Sequence, residues 1–433
     1  MITIGAKRSR ISKQHSPVSC HPDMSSSHMI ASAVKVASNE DLLLEILLQV
    51  PIKTLMRFKS VSKQWLSLIA NPYFVRLRSP LAPSASSLFF ANSSCRSNPD
   101  YQFIPLDVVD GSLAPFRTFK FINDPLGSGV SALQSCNGLL LCASYRAREF
   151  NRRYYVYNPT TKQFATLPQI KREFSKTVCG MSLAFDPVTS PYYKVVCVRR
   201  SELRQQHFQI EIYSSETRVW KVSGEPFTAP KHTKFEKCFV HWGNALIHWN
   251  VWMDEPYTLY FKVDAERLEK LPMPVKHLET VHLHGHEKAK TYFGASYLGE
   301  SGGHWNVVEC NSNITCLLNV HEMARDYSGW FLKYQVDLNA ISDVFPEIIK
   351  KKGDNRDSGY TFNVVSVVRS GNEENHESFV VLEIPGGMVV RYSLVDKRVK
   401  KLWEFTQTGY KFYNEKGLRG VCGLPYIQSL ASV

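Results

Sequence analysis

One short string recurs through the last two thirds of this 433-residue chain. An aromatic residue closes an apolar run, a polar turn follows, and an apolar residue opens the return run. Tyr157-Asn-Pro-Thr-Thr-Lys-Gln-Phe164 is the clearest copy, and Tyr213-Ser-Ser-Glu-Thr-Arg-Val-Trp220 is the next. Phe261 to Leu268, Tyr334 to Ile341 and Tyr392 to Val399 are looser versions. The leading aromatics lie 56, 48, 73 and 58 residues apart. A single small sheet leaves both faces open to water. Sheets stacked around an axis cover one another and leave only short edges. A four-stranded blade takes about 40–50 residues, so about 350 residues at this spacing predict a β-propeller of six or seven blades. The uneven spacing implies loop insertions. The aromatics read first as packing between blades.

The texture around the repeat agrees. Leu139–Leu141, Tyr154–Tyr157, Lys194–Val198, Phe208–Tyr213, Val307–Glu309, Phe362–Val368 and Phe379–Ile384 are short, β-branched or aromatic runs split by turn residues, and they read as strands. Val320–Asp326 is the one segment here that reads as one or two helical turns.

Residues 38–79 follow a different period. Ser38, Asn39, Glu40 and Asp41 supply capping groups and first-turn acids. Leu42, Leu43, Ile46, Leu47 and Val50 follow at helical spacing, and Pro51 stops the helix. Leu55, Phe58 and Val61 mark a second helix. Ser60 or Ser62 opens a third, with Trp65, Leu66, Leu68 and Ile69, which Asn71-Pro72 breaks. A further turn carries Tyr73, Phe74 and Leu77. Three short helices are too small to be stable alone and carry more large apolar side chains than they can bury. The surplus must face a partner or the rest of the chain.

The spacing of Leu42, Ile46, Leu47, Pro51, Leu55, Arg57, Phe58, Val61, Lys63, Trp65, Pro72 and Phe74 closely resembles the F-box. Two positions depart from that family's pattern. Ser38-Asn39 stands for its opening Leu-Pro, and Ser62 for the Cys of Val-Cys-Lys. Three further strings resemble the F-box-associated, kelch-like domain of plant F-box proteins: Ser135–Leu140, Tyr157–Pro168 and Phe185–Val196.

The resemblance implies a multidomain α+β chain: a small three-helix F-box, then a mainly-β propeller. The expected boundaries are a disordered, basic, Ser-rich tail over 1–37, the F-box over 38–79, a linker leading into the β domain over 80–100, and the propeller over 101–433. The resemblance further implies a non-catalytic adaptor of a Skp–cullin–F-box ubiquitin ligase. Leu42, Leu43, Ile46, Leu47, Pro51, Leu55, Phe58, Val61 and Trp65 would meet the Skp-type adaptor, and the propeller an unknown target protein. Loss of the opening Leu-Pro leaves a second reading open, a ligase-independent propeller that binds protein or carbohydrate. Ligases of this kind operate in cytoplasm and nucleus, and that is the expected location.

Composition narrows the classes. Lys+Arg 52 against Asp+Glu 39 gives a net charge of +13, but no long basic run appears, so the excess reads as a dispersed surface rather than a nucleic-acid footprint. No apolar run approaches the ~18–20 residues of a membrane-spanning helix. The ten cysteines include no Cys-x-x-Cys and read as reduced, core-filling thiols. No nucleophile elbow, phosphate loop or His-Glu-x-x-His motif is present, and no cofactor is expected. His282, His284 and His286 alternate as on one strand face, yet no nearby ligand completes a metal site. Trp242, Trp249, Trp252 and Trp305, with His241 and His248, form an aromatic centre that could serve a target, or simply pack strands.

Overall fold

The computed structural model describes residues 34–36, 38–79, 85–92, 99–106, 114–125, 129–145, 152–170, 177–201, 207–230, 233–241, 246–251, 257–274, 279–283, 286–290, 294–310, 316–349, 359–369, 378–405, 418 and 423–433. Of the tail expected over 1–37, only 34–36 are described, and they are helical. The chain divides into two compact units, Met1–Val50 and Pro51–Val433. The boundary cuts the helical segment after its first helix, where Val50 is extended and Pro51 cannot continue the turn.

The first unit contains α1, Glu40–Gln49. Asn39 caps it, its side-chain oxygen accepting from the amides of Asp41 at 3.1 Å and Leu42 at 3.2 Å. Glu40 and Asp41 lie at the positive end of the helix dipole. The second unit opens with α2, Ile52–Phe58, α3, Lys63–Ala70, and α4, Pro72–Arg78. Ser62 caps α3 by accepting from the Trp65 amide at 3.1 Å, and Asn71 caps α4 by accepting from Tyr73 at 2.8 Å. Pro72 takes the first turn of α4, where a missing amide hydrogen does no harm.

Six blades follow. The strands Ser87–Asn92 (β1) and Asp100–Pro105 (β2) belong to blade 1. Blade 2 is Val130–Cys136 (β3), Leu139–Ser144 (β4), Tyr154–Asn158 (β5) and Gln163–Thr166 (β6). Blade 3 is Val178–Ala184 (β7), Lys194–Arg200 (β8), His207–Ser214 (β9) and Trp220–Thr228 (β10). Blade 4 is Thr233–His241 (β11), Leu246–Val251 (β12), Tyr257–Lys262 (β13) and Arg267–Pro272 (β14). A separate hairpin, Glu279–Leu283 (β15) and His286–Lys290 (β16), is inserted next. Blade 5 is Gly294–Ser301 (β17), His304–Cys310 (β18), Leu317–Met323 (β19) and Trp330–Asp337 (β20). A short helix, Leu338–Ser342 (α5), leads towards blade 6: Asn363–Val368 (β21), Phe379–Ile384 (β22), Met388–Ser393 (β23) and Val399–Glu404 (β24). The last strand, Gly423–Tyr426 (β25), returns to pair antiparallel with β1 and completes blade 1.

A chain of such blades needs its ends joined, and the β1–β25 ladder does this with partners Ser87 to Tyr426 through Phe90 to Gly423. Apolar clusters then seal the ring. Phe89, Tyr101 and Tyr426 pack on Leu140 and Tyr157 between blades 1 and 2. Val196, Ile212, Phe235 and Trp249 join blades 3 and 4, and Leu246, Tyr260, Trp305 and Val307 join blades 4 and 5. Val320, Val336, Val380 and Tyr392 join blades 5 and 6, and Phe90, Ile104, Val381 and Val389 close the ring. Blades 2 and 3 also share a buried amide: Gln134 donates to the Leu183 carbonyl at 3.0 Å and accepts its amide at 2.7 Å. Across blades 5 and 6, the Glu322 carboxylate meets His304 at 2.7 Å and the buried Arg369 at 3.1 Å. Burial opposes its charge, but the histidine hydrogen bond and the arginine outweigh that and hold its pKa below the ordinary carboxylate value.

Where the sequence reading and the structure differ, the reason is local. The first propeller strand starts at Ser87, within the linker and entry segment expected over 80–100, because the closing blade needs strands from both ends of the chain. Six blades form, within the expected six or seven. Val320–Asp326 is not helical: Leu317–Met323 is β19, with alternate residues turned inward, and a turn follows. Tyr334–Ile341 is not a copy of the repeat either. Tyr334 lies on an outer strand, and Ile341 lies on α5. The hairpin of blade 5 instead pairs Met323 with Trp330. In the other four strings the leading aromatic is cross-strand partner of the closing residue: Tyr157 with Phe164, Tyr213 with Trp220, Phe261 with Leu268, Tyr392 with Val399.

Candidate partner-binding surfaces

The helices divide their apolar residues sharply. On α1, Leu43 and Leu47 are buried, whereas Leu42 is 46% and Ile46 48% exposed. Leu42 and Ile46 stand four residues apart, so they share one face of that helix. In the second unit Leu55 is buried, Pro51 and Val61 are exposed, and Phe58 and Trp65 are half-buried. Phe58 and Trp65 meet edge to face at 4.9 Å, which fixes the turn between α2 and α3. Leu66, Tyr73 and Leu77 are also exposed, three apolar residues outside the set expected to face a partner. Their signal was present in the surplus of large apolar side chains over what short helices can hide. Pairing from one face to another is what spacing alone left unsorted. Lys53, Arg57, Lys63 and Arg76 are exposed around them, and Arg76 lies over the Tyr73 ring at 5.4 Å. These four exposed cations on α2, α3 and α4 are a charge pattern that speeds encounter with an acidic partner.

Both departures from the F-box pattern occupy capping positions. Asn39 caps α1 and Ser62 caps α3, so each polar residue satisfies amides that a helix start leaves unpaired.

The propeller tryptophans fall elsewhere. Trp249 and Trp305 are not open to a target: both are buried. Trp249 sits between Phe235, at 5.3 Å, and Phe261, at 6.4 Å. Trp305 packs 3.9 Å from the buried His248, which stacks on Tyr260 at 5.0 Å. β12 and β18 lie inside their blades, so their large side chains fill the blade interfaces. Trp242 and Trp252 lie outside the described residues, as do the side chains of His241, His282 and His286, and all of His284. Among the described residues, no group of three His, Cys, Asp or Glu is arranged to hold a metal ion, and no helix is long and apolar enough to cross a membrane. Cys136, Cys142, Cys179, Cys197 and Cys316 are free thiols, and burial pushes the Cys142 and Cys197 thiols up, away from the reactive thiolate.

β6 has four residues, β10 contains Gly224 and Pro226, β14 is charged and ends in proline, and β24 carries Lys400 and Lys401. Those are features that blunt a sheet edge. β20 has eight residues and exposes Phe331 and Leu332.

The four short helices α1–α4 precede a six-bladed propeller in the chain. Residues 39–77 match the model of the F-box domain, and residues 104–289 match that of the F-box associated beta propeller domain. F-box protein At5g07610 of Arabidopsis thaliana is 34% identical over 415 residues, covering 93% of this chain and 94% of the relative. Putative F-box protein At1g47790 of the same plant is 27% identical over 251 residues, 55% of this chain and 59% of that protein, and F-box protein At5g49610 is 25% identical over 54% and 64%. The chain belongs to the F-box proteins that carry an F-box-associated β-propeller. Members of this family serve in general as non-catalytic adaptors.

Proposed function

We propose that this chain is the substrate-recognition subunit of a Skp–cullin–F-box ubiquitin ligase, its helices binding a Skp-type adaptor and its propeller a target protein. The observation that carries the reading is the exposed apolar pair Leu42 and Ile46 on α1, together with Val61 in the α2–α3 turn and Leu66, Tyr73 and Leu77 on α3 and α4. Water-facing side chains of this size on capped, ordered helices favour a protein partner. The chemistry belongs to the partner enzymes: holding a target near a ubiquitin-loaded enzyme raises the local concentration of its lysines. Such a ligase would operate in cytoplasm and nucleus.

The test is a pull-down of the full chain on a plant Skp-type adaptor. Leu42→Asp with Ile46→Asp changes only exposed side chains, so capture should be lost while the circular dichroism spectrum stays that of the parent. Undiminished capture by that variant, or none by the parent chain, removes the adaptor reading.

A further inference from the structure

A cavity of about 510 Å³ opens where α4 meets blades 2 and 3. Its size is that of a small-molecule site. Pro72 and Val75 of α4 form one wall, and Phe185 and Tyr192 of the β7–β8 connection form another. No aspartate or glutamate lines it.

Three polar groups converge on this space. Tyr193 immediately precedes β8, Tyr213 lies on β9, and Arg218 sits in the β9–β10 turn. The Tyr193 and Tyr213 rings are 6.4 Å apart. Burial pushes both phenols up, and the Arg218 charge, on the same cavity wall, partly offsets this in each. Both phenols therefore keep their protons near neutral pH and act as donors. Among the described residues, neither hydroxyl has a hydrogen-bond partner and no aspartate or glutamate carboxylate lies within 4.0 Å of Arg218. The backbone holds the arginine in place at φ 60°, with its amide donating to the Ser214 carbonyl at 2.8 Å.

Two phenol donors and an unpaired guanidinium, set beside apolar walls, make a receptor for a negative group on an apolar body. We propose that this cavity binds a small amphiphilic anion, such as an aromatic carboxylic acid. The carboxylate accepts from Arg218, Tyr193 and Tyr213, and the ring or chain lies against Phe185, Pro72 and Val75. The occupant touches α4 and blade 3 together, so binding links the helices to the propeller and raises the melting temperature. The proposal stands apart from the ligase reading, since it makes no use of the adaptor surface.

The probe is 1-naphthoate, titrated calorimetrically into the full chain, with neutral 1-naphthamide as the uncharged match. The parent chain should bind one naphthoate and prefer it at least tenfold over the amide. Arg218→Gln replaces an exposed side chain, so the fold should persist. It should weaken naphthoate tenfold or more and leave the amide unchanged. Tyr192→Ala, which removes an exposed wall, should weaken both. The proposal is overturned if the parent chain binds neither compound, if it binds both equally, or if Arg218→Gln leaves the naphthoate affinity as it was.

Discussion

Replacing Gly138 by alanine puts a methyl group where the C-terminal tail runs. Asn137 and Gly138 form the tight β3–β4 turn, with φ 47° and 86°. The Asn137 amide group donates to the Phe185 carbonyl, and Ser135 donates to the Pro425 carbonyl at 2.6 Å, so tail and turn are tied together. Asn158 fixes the tail further by donating to the carbonyls of Ser429 at 3.0 Å and Ala431 at 2.7 Å. A Cβ on residue 138 would lie 2.4 Å from the Ser429 Cβ and 2.8 Å from the Ile427 carbonyl oxygen. Two penalties add: about 1–2 kcal/mol for an L side chain at positive φ, and about 1–3 kcal/mol for forcing atoms into filled space. Gly224→Ala separates them, because Gly224 has φ 62° and nothing within 4 Å of its added Cβ. Urea unfolding should therefore place Gly138→Ala about 2–5 kcal/mol below the parent and Gly224→Ala only about 1–2 kcal/mol below. If the tail yields instead, it should lift away, and limited proteolysis should cut the last residues faster in Gly138→Ala alone. Equal stability loss in the two variants, with equal cleavage rates, would refute the claim that the tail is packed against this turn.

Further expectations concern other parts of the ring. Lys162 and Lys397 hold left-handed backbone at φ 60° and 57°, so Lys162→Gly or Lys397→Gly should raise stability by about 0.5–1 kcal/mol in the same unfolding assay. Burial pushes the Glu300 carboxyl up to about 7, against one stabilising hydrogen bond from the Gly303 amide at 2.7 Å. A carboxyl whose folded pKa is raised binds its proton more tightly in the native state. Its contribution is therefore greatest below pH ~4.5 and is lost as pH rises through about 7, by about 3 kcal/mol at most. Glu300→Gln should flatten melting temperature against pH between 5 and 8 and leave the variant more stable than the parent at pH 8. Leu332→Lys on the open edge of blade 5 should leave stability within about 0.5 kcal/mol, because that side chain is exposed, and should reduce capture of a target protein that pairs with the β20 edge.

The repeat was legible because it encodes a hairpin, and a hairpin is local. Tyr157 to Phe164, Tyr213 to Trp220, Phe261 to Leu268 and Tyr392 to Val399 all place the first residue opposite the last. The fifth position after each leading residue, Lys162, Arg218, Glu266 or Lys397, takes left-handed backbone. None of these is glycine, so the turn geometry left no trace in composition, and the aromatic marker alone had to carry the reading. That marker misled in blade 5. There the leading residue is Met323, and the aromatic Trp330 closes the hairpin. The pairing of β1 with β25 was equally hidden, because residues more than 300 positions apart share no local pattern.

The fate of the tryptophans has the same origin. A tryptophan count marks apolar area, and strand position decides where that area goes. Trp249 and Trp305 lie on second strands of their blades, and each of those strands pairs with a neighbour on both sides. Side chains there face the neighbouring blade, so both became ring-sealing core. Tyr192, Tyr193 and Arg218 sit instead at strand ends and turns, where side chains escape that interface and line open space. In a propeller, then, the strands hold the ring together and the connections carry recognition. The exposed Tyr192, and Arg218 with no ion-pair partner among the described residues, follow that rule.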